Sequence, residues 1–186
     1  AMHWLMPKLA RFNERHPTLA VDVTTSMGPV NRNGRFDVAI RRDPAHFSGL
    51  HAVPFLREES VLVCSKSYLQ TRPVIAPDRA EGHTTIHIRA RSDLWLQWQA
   101  TWGMTLDGAV PPLTLDHTFA AIQAAEDGLG LAVIPLLFCA RHLATGRLVS
   151  PFPALRVETG VYALLHREEP DENIARFIAW LEHYQD

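Results

Sequence analysis

The clearest hydrophobic pattern in the chain lies between residues 118 and 134. Phe119, Ile122 and Leu129 recur at helical spacing, which predicts an amphipathic helix that carries them on its apolar side. Gly128 is expected to end this helix, because the residue after a helix often takes a positive φ that glycine adopts without strain. The continuous apolar run at the end of this range predicts a buried strand.

A polar trio, Asp116, His117 and Thr118, precedes this helix and follows a shorter apolar segment. Asp116 or Thr118 is expected to cap the helix by accepting a hydrogen bond from a free backbone N–H. The trio therefore lies where a strand ends and a helix begins. In open α/β sheets ligands bind at such places, and free N–H groups there favour an anion. Two interpretations stay open, a ligand contact or only a helix cap.

Helical spacing also predicts helices at both ends of the chain. The first runs from about residue 3 to 15, and Pro7 fits it only within the first turn. Asp171 is expected to cap the last helix. The apolar face of that last helix is expected to consist of Ile174, Phe177, Ile178 and Leu181.

Two further helices are predicted in the middle of the chain. Ser65 is expected to cap a short helix at 66–70, and Asp93 a longer one. The longer helix carries Trp95, Trp98 and Trp102 on one side. No basic surface is interleaved with these rings, which indicates core packing rather than stacking on nucleic-acid bases.

Short apolar or alternating runs predict the strands. They lie at 19–25, 36–40, 50–55, 60–64, 84–88, 131–134 and 160–166. Because these strands alternate with helices, the pattern indicates an α/β fold with mainly parallel pairing.

Composition narrows the class of protein. The chain has 186 residues, 47% of them apolar and 20% charged, which is typical of a soluble globular protein with one large domain or two small ones. Its net charge of −2 gives no reason to expect non-specific binding to nucleic acid. No apolar run has the length of a membrane span. Cys64 and Cys139 are expected to be buried thiols of a cytoplasmic protein, and a disulfide between them is the less favoured alternative.

Motifs for catalysis or cofactor binding do not stand out in the sequence. Gly128 and Gly130 lack the third glycine of a dinucleotide-binding loop, and no serine elbow or zinc-type spacing of histidine and cysteine is present. Glu58 and Glu59 are neighbours, so they do not share a face and are not expected to form an acid/base pair. We therefore expect no catalytic residue, no metal and no cofactor.

Polar side chains are instead expected near the ends of several strands. The candidate effector-binding residues are Thr25, Ser26, Arg41, His87, His117, Thr118 and Tyr162, with Arg89 beside them. Their hydroxyl, imidazole and guanidinium groups supply donors for a small anionic or polar ligand. Structural roles stay open for each residue, such as a local ion pair for Arg41 or core packing for Tyr162.

Several separated segments carry recognisable motifs and together cover nearly the whole chain. They are WLMPKLARF (4–12) with HP (16–17), GRFDVAIR (34–41), FLRE (55–58), VLVC (61–64), QAAEDGLGLA (123–132) and GRLV (146–149). In order and spacing they resemble the effector-binding domain of LysR-type transcriptional regulators. The most similar branch contains activators of glycine cleavage and of β-lactamase expression.

This resemblance implies a periplasmic-binding-protein-like fold of two Rossmann-like α/β subdomains, each with a mixed sheet, and a ligand cleft between them. The expected subdomains are residues 1–64 plus 161–186, and residues 65–160. The resemblance assigns the candidate residues above to the cleft. It implies a small-molecule effector, which we expect to be an amino-acid-like or carboxylate metabolite, and no enzymatic activity.

The resemblance also implies partners for the whole protein. A homodimer of this domain is expected, with the apolar side chains of Trp4 and Met6 on the opening helix as candidates for the interface. A homotetramer is expected for the full-length protein. DNA contact is expected from an N-terminal winged helix-turn-helix domain that this chain does not include.

The sequence departs from the family pattern in two places. Related proteins often carry serine after the aspartate where this chain has His117, which changes the donors offered to an effector. In the family a first strand usually precedes the opening helix, whereas this sequence starts with the segment that matches that helix. The alternative function of the same fold is a solute-binding receptor of a transport system, and an enzyme is the least favoured class.

Overall fold

The computed structural model describes residues 2–26, 30–43, 49–106 and 110–183, without the side chains of residues 2 and 3. The helices are α1 (Met2–Arg15), α2 (Lys66–Thr71), α3 (Asp93–Trp102), α4 (Thr118–Glu126), α5 (Leu136–Ala144) and α6 (Glu172–His183). The strands are β1 (Val38–Arg42), β2 (His51–Val63), β3 (Thr85–Ile88), β4 (Leu113–Leu115), β5 (Leu131–Pro135) and β6 (Val157–His166). A 3-10 turn at Arg89–Arg91, called here the arginine turn, joins β3 to α3.

The chain divides into two compact units. The first unit comprises Ala1–Arg57 with Gly160–Asp186, and the second comprises Glu58–Thr159. Both changes of unit fall inside strands, β2 and β6, so each of these strands continues from one unit into the other. None of the helices in the described ranges is both long and apolar enough to span a bilayer.

Aromatic packing between α1 and α6 forms much of the core of the first unit. The ring of Phe12 is fully buried and lies 5.0 Å from that of Phe177 and 4.9 Å from that of Trp180. Trp4 packs edge-on against Phe55 at 5.4 Å and is buried, so the expectation that it is exposed at an interface is wrong. Pro7 lies inside α1 beyond its first turn, so its expected place is also wrong.

The predicted strand at 19–25 is absent, and this prediction is wrong. Leu19, Val21 and Val23 are half-buried and the residues between them are exposed. The alternation therefore reflects a segment with one buried side, and it does not require pairing with another strand. A strand also needs a partner that hydrogen-bonds its backbone, and no described ladder includes this segment. In the first unit the described ladder pairs β1 with β6 in antiparallel register.

The sheet of the second unit has the order β2-β5-β3-β4. β3 is parallel to β4 and β5, whereas β2 is antiparallel to β5. The sheet is therefore mixed, and the expectation of mainly parallel pairing is too simple. Two predicted strands, 50–55 and 60–64, form the single strand β2. Every residue of β5 is buried, which confirms the predicted buried strand.

In the second unit, α3 packs on the sheet with tryptophan rings and α4 packs on it largely with alanine side chains. Trp98 of α3 is fully buried, and the indole Nε1 of Trp95 donates to the Ile86 carbonyl at 2.8 Å, which confirms the predicted core role. α4 buries Ala121, Ile122, Ala124 and Ala125. By contrast, Phe119 and Leu129 are exposed, so their assignment to the apolar side is wrong.

Local hydrogen bonds fix two of the helix starts where short polar side chains were predicted to act as caps. The Ser65 hydroxyl accepts from the Tyr68 backbone N–H at 3.2 Å, and the Asp171 carboxylate accepts from the Ile174 N–H at 2.9 Å. Both predicted caps are confirmed. Asp93 does not cap α3, because it lies within the first turn and the cap position belongs to Ser92, which makes no side-chain cap bond.

Candidate functional site

The start of α4 is not capped by a side chain. His117 occupies the cap position with extended backbone, and its carbonyl accepts from the N–H groups of Ala120 and Ala121 at 3.1 and 3.2 Å. Its exposed imidazole stacks on Phe119, with ring centroids 5.6 Å apart and planes 18° apart. The first N–H groups of α4 are thus left without the side-chain acceptor that usually stabilises a helix start.

Asp116 has a different partner from the one predicted. Its Oδ1 accepts from Arg89 Nε at 2.8 Å, and both side chains are largely exposed. The expectation that Asp116 or Thr118 caps α4 is therefore wrong. The Asp116 carbonyl accepts from the Ala90 N–H at 3.3 Å, so the arginine turn contacts both the backbone and the side chain of this residue.

Strand register explains why these groups meet. β3 and β4 are parallel, and Ile88 lies opposite Leu115 at their ends. The segments that follow the two strands therefore leave the same edge of the sheet. One segment is the arginine turn and the other leads into α4 through His117 and half-buried Thr118. This edge combines free helix N–H groups, the helix dipole and donor side chains, which together favour an anion.

His87 is the last residue but one of β3, so it lies near the end of a strand as expected. Its ring stacks on that of Trp95 at 5.6 Å with planes 23° apart, and its Nε2 lies 3.0 Å from Thr85 Oγ1. The side chain is half-buried, and this burial lowers the pKa of the imidazole. His87 is therefore held against α3 by the core of the second unit.

In the first unit the structure brings Arg41 and Ser26 together. Arg41 Nη2 donates to the Ser26 carbonyl at 3.2 Å, and Nη1 donates to the Ile40 carbonyl at 3.0 Å. Arg41 lies within β1, so the expectation that it follows the strand is wrong. Thr25 and Ser26 are exposed and follow an unpaired segment instead of a strand.

Tyr162 lies within β6, opposite Arg42 of β1. It is 7% exposed, so its ring belongs mainly to the core of the first unit. Its predicted place on a late strand is confirmed. Because most of its surface is buried, the structural role that the sequence left open, core packing, applies to most of the side chain.

A buried ion pair in the second unit was not predicted as part of any site. Glu58 is 2% exposed, and its carboxylate accepts from Arg91 Nη2 at 2.7 Å and Nη1 at 3.2 Å. Arg91 also bonds Asp93 through Nε and Nη2, each at 3.2 Å. Burial acts to lower the pKa of Arg91, but the bonds and charges of Asp93 and Glu58 outweigh it and raise that pKa.

Sequence showed only that Glu58 and Glu59 do not share a face, and this is confirmed. Glu58 is buried, while exposed Glu59 accepts from Arg156 at 2.9 Å. Nothing in the sequence pairs Glu58 with Arg91, because the two residues come from separate elements. Within the four described ranges, no three ligating side chains form a group that could hold a metal ion.

Comparison with known proteins gives the family. Residues 1–186 match the model of the LysR substrate binding domain. The transcriptional activator AmpR of Pseudomonas aeruginosa is 31% identical over 186 residues, which cover 96% of this chain and 60% of that protein. The glycine cleavage system transcriptional activator of Escherichia coli K12 is 27% identical over 185 residues, covering 97% and 60%.

A solved structure agrees with this assignment. The effector domain of AmpR from Pseudomonas aeruginosa superposes with a TM-score of 0.82 at 26% identity, covering 99% of this chain and 89% of that one. The chain spans about three fifths of the length of the two curated relatives named above. These relatives are transcriptional activators, so the transport-receptor alternative is not favoured. The chain belongs to the LysR substrate-binding domain family and has the two-subdomain, periplasmic-binding-protein-like fold of the effector-binding domain of a LysR-type regulator.

Proposed function

We propose that this domain binds a small carboxylate or amino-acid-like effector and does not turn it over. The observation that carries the proposal is the start of α4, where no side chain caps the helix and His117 is exposed. Free N–H groups at a helix start bind a carboxylate through hydrogen bonds and the helix dipole. The curated relatives are transcriptional activators, which supports binding without chemistry.

The side chains around the start of α4 suggest how selectivity arises. The His117 imidazole supplies a donor, and the Thr118 hydroxyl supplies a donor and an acceptor. Phe119 offers an aromatic face that is 66% exposed and already stacked on His117. An effector with a carboxylate and a small apolar or planar body matches these groups.

The remaining candidate contacts differ in strength. Thr25, Ser26 and Arg41 are candidates in the first unit, where the Arg41 guanidinium keeps donors for a carboxylate besides those bonded to backbone carbonyls. His87 and Tyr162 are weaker candidates, because His87 packs on Trp95 and Tyr162 is buried in β6.

A thermal-shift screen tests the proposal. The panel consists of the standard amino acids and short mono- and dicarboxylates. An effector at a concentration of about 100 times its Kd stabilises the folded chain by about 2.7 kcal/mol and raises its melting temperature. His117→Ala and Thr118→Ala are expected to lower the affinity about tenfold each, because each removes a bond to a charged ligand.

Matched controls are available on other helices. His183→Ala in α6 and Thr101→Ala in α3 remove exposed side chains of the same types and should leave the shift unchanged. A panel without any shift contradicts the effector class. A shift that both test variants keep in full contradicts the assignment to α4.

For the whole protein, the relatives suggest a regulator that binds DNA through a domain outside this chain. We propose that it acts in the cytoplasm, where its DNA target lies.

We also propose that this domain forms a homodimer, and the full-length protein a homotetramer, with Met6 of α1 as an exposed apolar contact. Light scattering should give twice the monomer mass, and a monomer at high concentration would exclude the dimer.

A further inference from the structure

The Glu58 carboxylate lies where two strands leave the second unit. Glu58 and Thr159 are the first and last residues of this unit, on β2 and β6 respectively. The Thr159 hydroxyl donates to Glu58 Oε1 at 2.9 Å, and the Ser60 hydroxyl lies 2.8 Å from the Thr159 hydroxyl. The Thr159 hydroxyl therefore joins β6 to the buried Glu58 carboxylate and to the Ser60 hydroxyl of β2.

Arg91 connects this carboxylate to the arginine turn. Its guanidinium side chain is only 10% exposed and binds Glu58 through two nitrogens. Removing Arg91 would leave the buried Glu58 carboxylate without its cationic partner, which costs far more than breaking a surface pair. The position of the turn is therefore linked to the position of Glu58 in β2 and, through Thr159, to β6.

The other end of the same turn contacts the segment before α4. Arg89 bonds the Asp116 side chain, and the Ala90 N–H bonds the Asp116 carbonyl. Asp116 directly precedes His117, the cap residue of α4. Three consecutive residues, 89–91, therefore link the start of α4 to the buried carboxylate of Glu58.

We propose that the arginine turn couples the start of α4 to the crossing segments, residues 58–60 of β2 and 157–159 of β6, where the two strands pass from one unit to the other. This inference rests on the proposed function, since it makes the α4 start the place where an effector acts. A carboxylate bound there adds negative charge beside the Arg89–Asp116 pair. It thereby changes the preferred position of the turn, and Arg91 passes the change to Glu58 and Thr159. Coupling of this kind is reciprocal, so a change at Glu58 must also affect the start of α4.

Hydrogen exchange without any ligand tests this coupling. In Glu58→Gln, the amides of Ala90, Ala120 and Ala121 should exchange about tenfold faster, because loss of a charged hydrogen bond favours local opening by about that factor. In Asp116→Asn, the amides of residues 58–60 and 157–159 should exchange faster in turn. The amides of Cys64 and Val149 are the internal reference, since they bond each other across a separate bridge.

Each variant has a matched control. Glu59→Gln changes the neighbouring exposed carboxylate, and Asp127→Asn changes an exposed carboxylate beyond the other end of α4. Neither should alter exchange at the reporter amides of its matched test variant. If Glu58→Gln loosens the whole unit, including the reference amides, Thr159→Val decides by the same criteria, because it removes only the hydroxyl that joins β6 to Glu58.

Two results would overturn the proposal. One is faster exchange in Glu58→Gln that stays in β2, β6 and α3 and does not reach Ala90, Ala120 or Ala121. The other is an Asp116→Asn variant with unchanged exchange at the amides of residues 58–60 and 157–159. Failure of the proposed function has a different signature, since it leaves the exchange results intact while the metabolite panel gives no thermal shift.

Discussion

At the scale of single residues, His87 shows how the core sets the charge of a side chain. Packing against Trp95 excludes water from one face of the imidazole, and burial lowers its pKa from the ordinary value of 6.5. The unfolded chain therefore binds a proton at a higher pH than the folded chain does. Stability from the neutral imidazole is fully present above pH 6.5 and is lost as the pH falls below it.

This loss of stability at low pH gives a measurable prediction for His87→Gln. Between pH 7 and about pH 5.5, the free energy of unfolding of the unmodified protein should fall more than that of the variant. Urea unfolding at several pH values measures the difference. His183→Gln, an exposed histidine in α6, is the control and should follow the unmodified protein. An identical pH dependence in His87→Gln would contradict the burial argument.

Bonds between neighbours in sequence were predictable at this scale, and distant ones were not. Ser65 and Asp171 bond backbone groups three residues away, so the cap pattern was enough. Asp116 also precedes a helix, as a capping residue does, yet its carboxylate accepts a hydrogen bond from Arg89, which follows β3. Its role depended on the register of β3 and β4, which single-sequence patterns do not contain.

At the scale of elements, Gly130 allows β5 to start close to β3. A Cβ at this position would lie 2.2 Å from the Thr84 carbonyl oxygen, and that oxygen accepts from the Leu131 N–H at 2.9 Å. Backbone atoms on both sides cannot move apart without breaking the parallel ladder of β3 and β5. Glycine is required here by close approach rather than by a positive φ.

Gly130→Ala should therefore lower the free energy of unfolding by about 3 kcal/mol or more, since overpacking against backbone has no flexible side chain to yield. Gly82→Ala is the matched control. Gly82 has φ +73° and open space around it, so only conformational strain of about 1 kcal/mol is expected. Urea denaturation of both variants measures the contrast, and equal losses would contradict the close-approach argument.

Periodicity predicted the helices better than the strands. The helices at 3–15 and after Asp171 follow from local spacing of apolar residues, which needs no knowledge of the rest of the chain. The alternating segment 19–25 did not form a strand because pairing is a property of two segments. β2 was predicted as two strands because charged residues interrupt its apolar pattern. The strand is continuous because the buried Glu58 is compensated by its ion pair with Arg91.

At the scale of the whole molecule, the order of separated motifs carried the family and the fold. The match over residues 1–186 confirms that interpretation, although the single-sequence pattern alone suggested mainly parallel pairing. The sequence does not identify the effector, because the donor groups of His117 and Thr118 suit many small anions. The boundaries of the two subdomains and the effector contacts stay predictions.

Titration calorimetry tests the central claim, sensing without turnover, most directly. The titrant is the panel compound that gives the largest thermal shift. We predict a saturable signal for one ligand per chain, with the heat returning to baseline after each injection, and about tenfold weaker binding to His117→Ala. Heat flow that continues after each injection would mean turnover and would contradict the account, as would a titration without saturable heat.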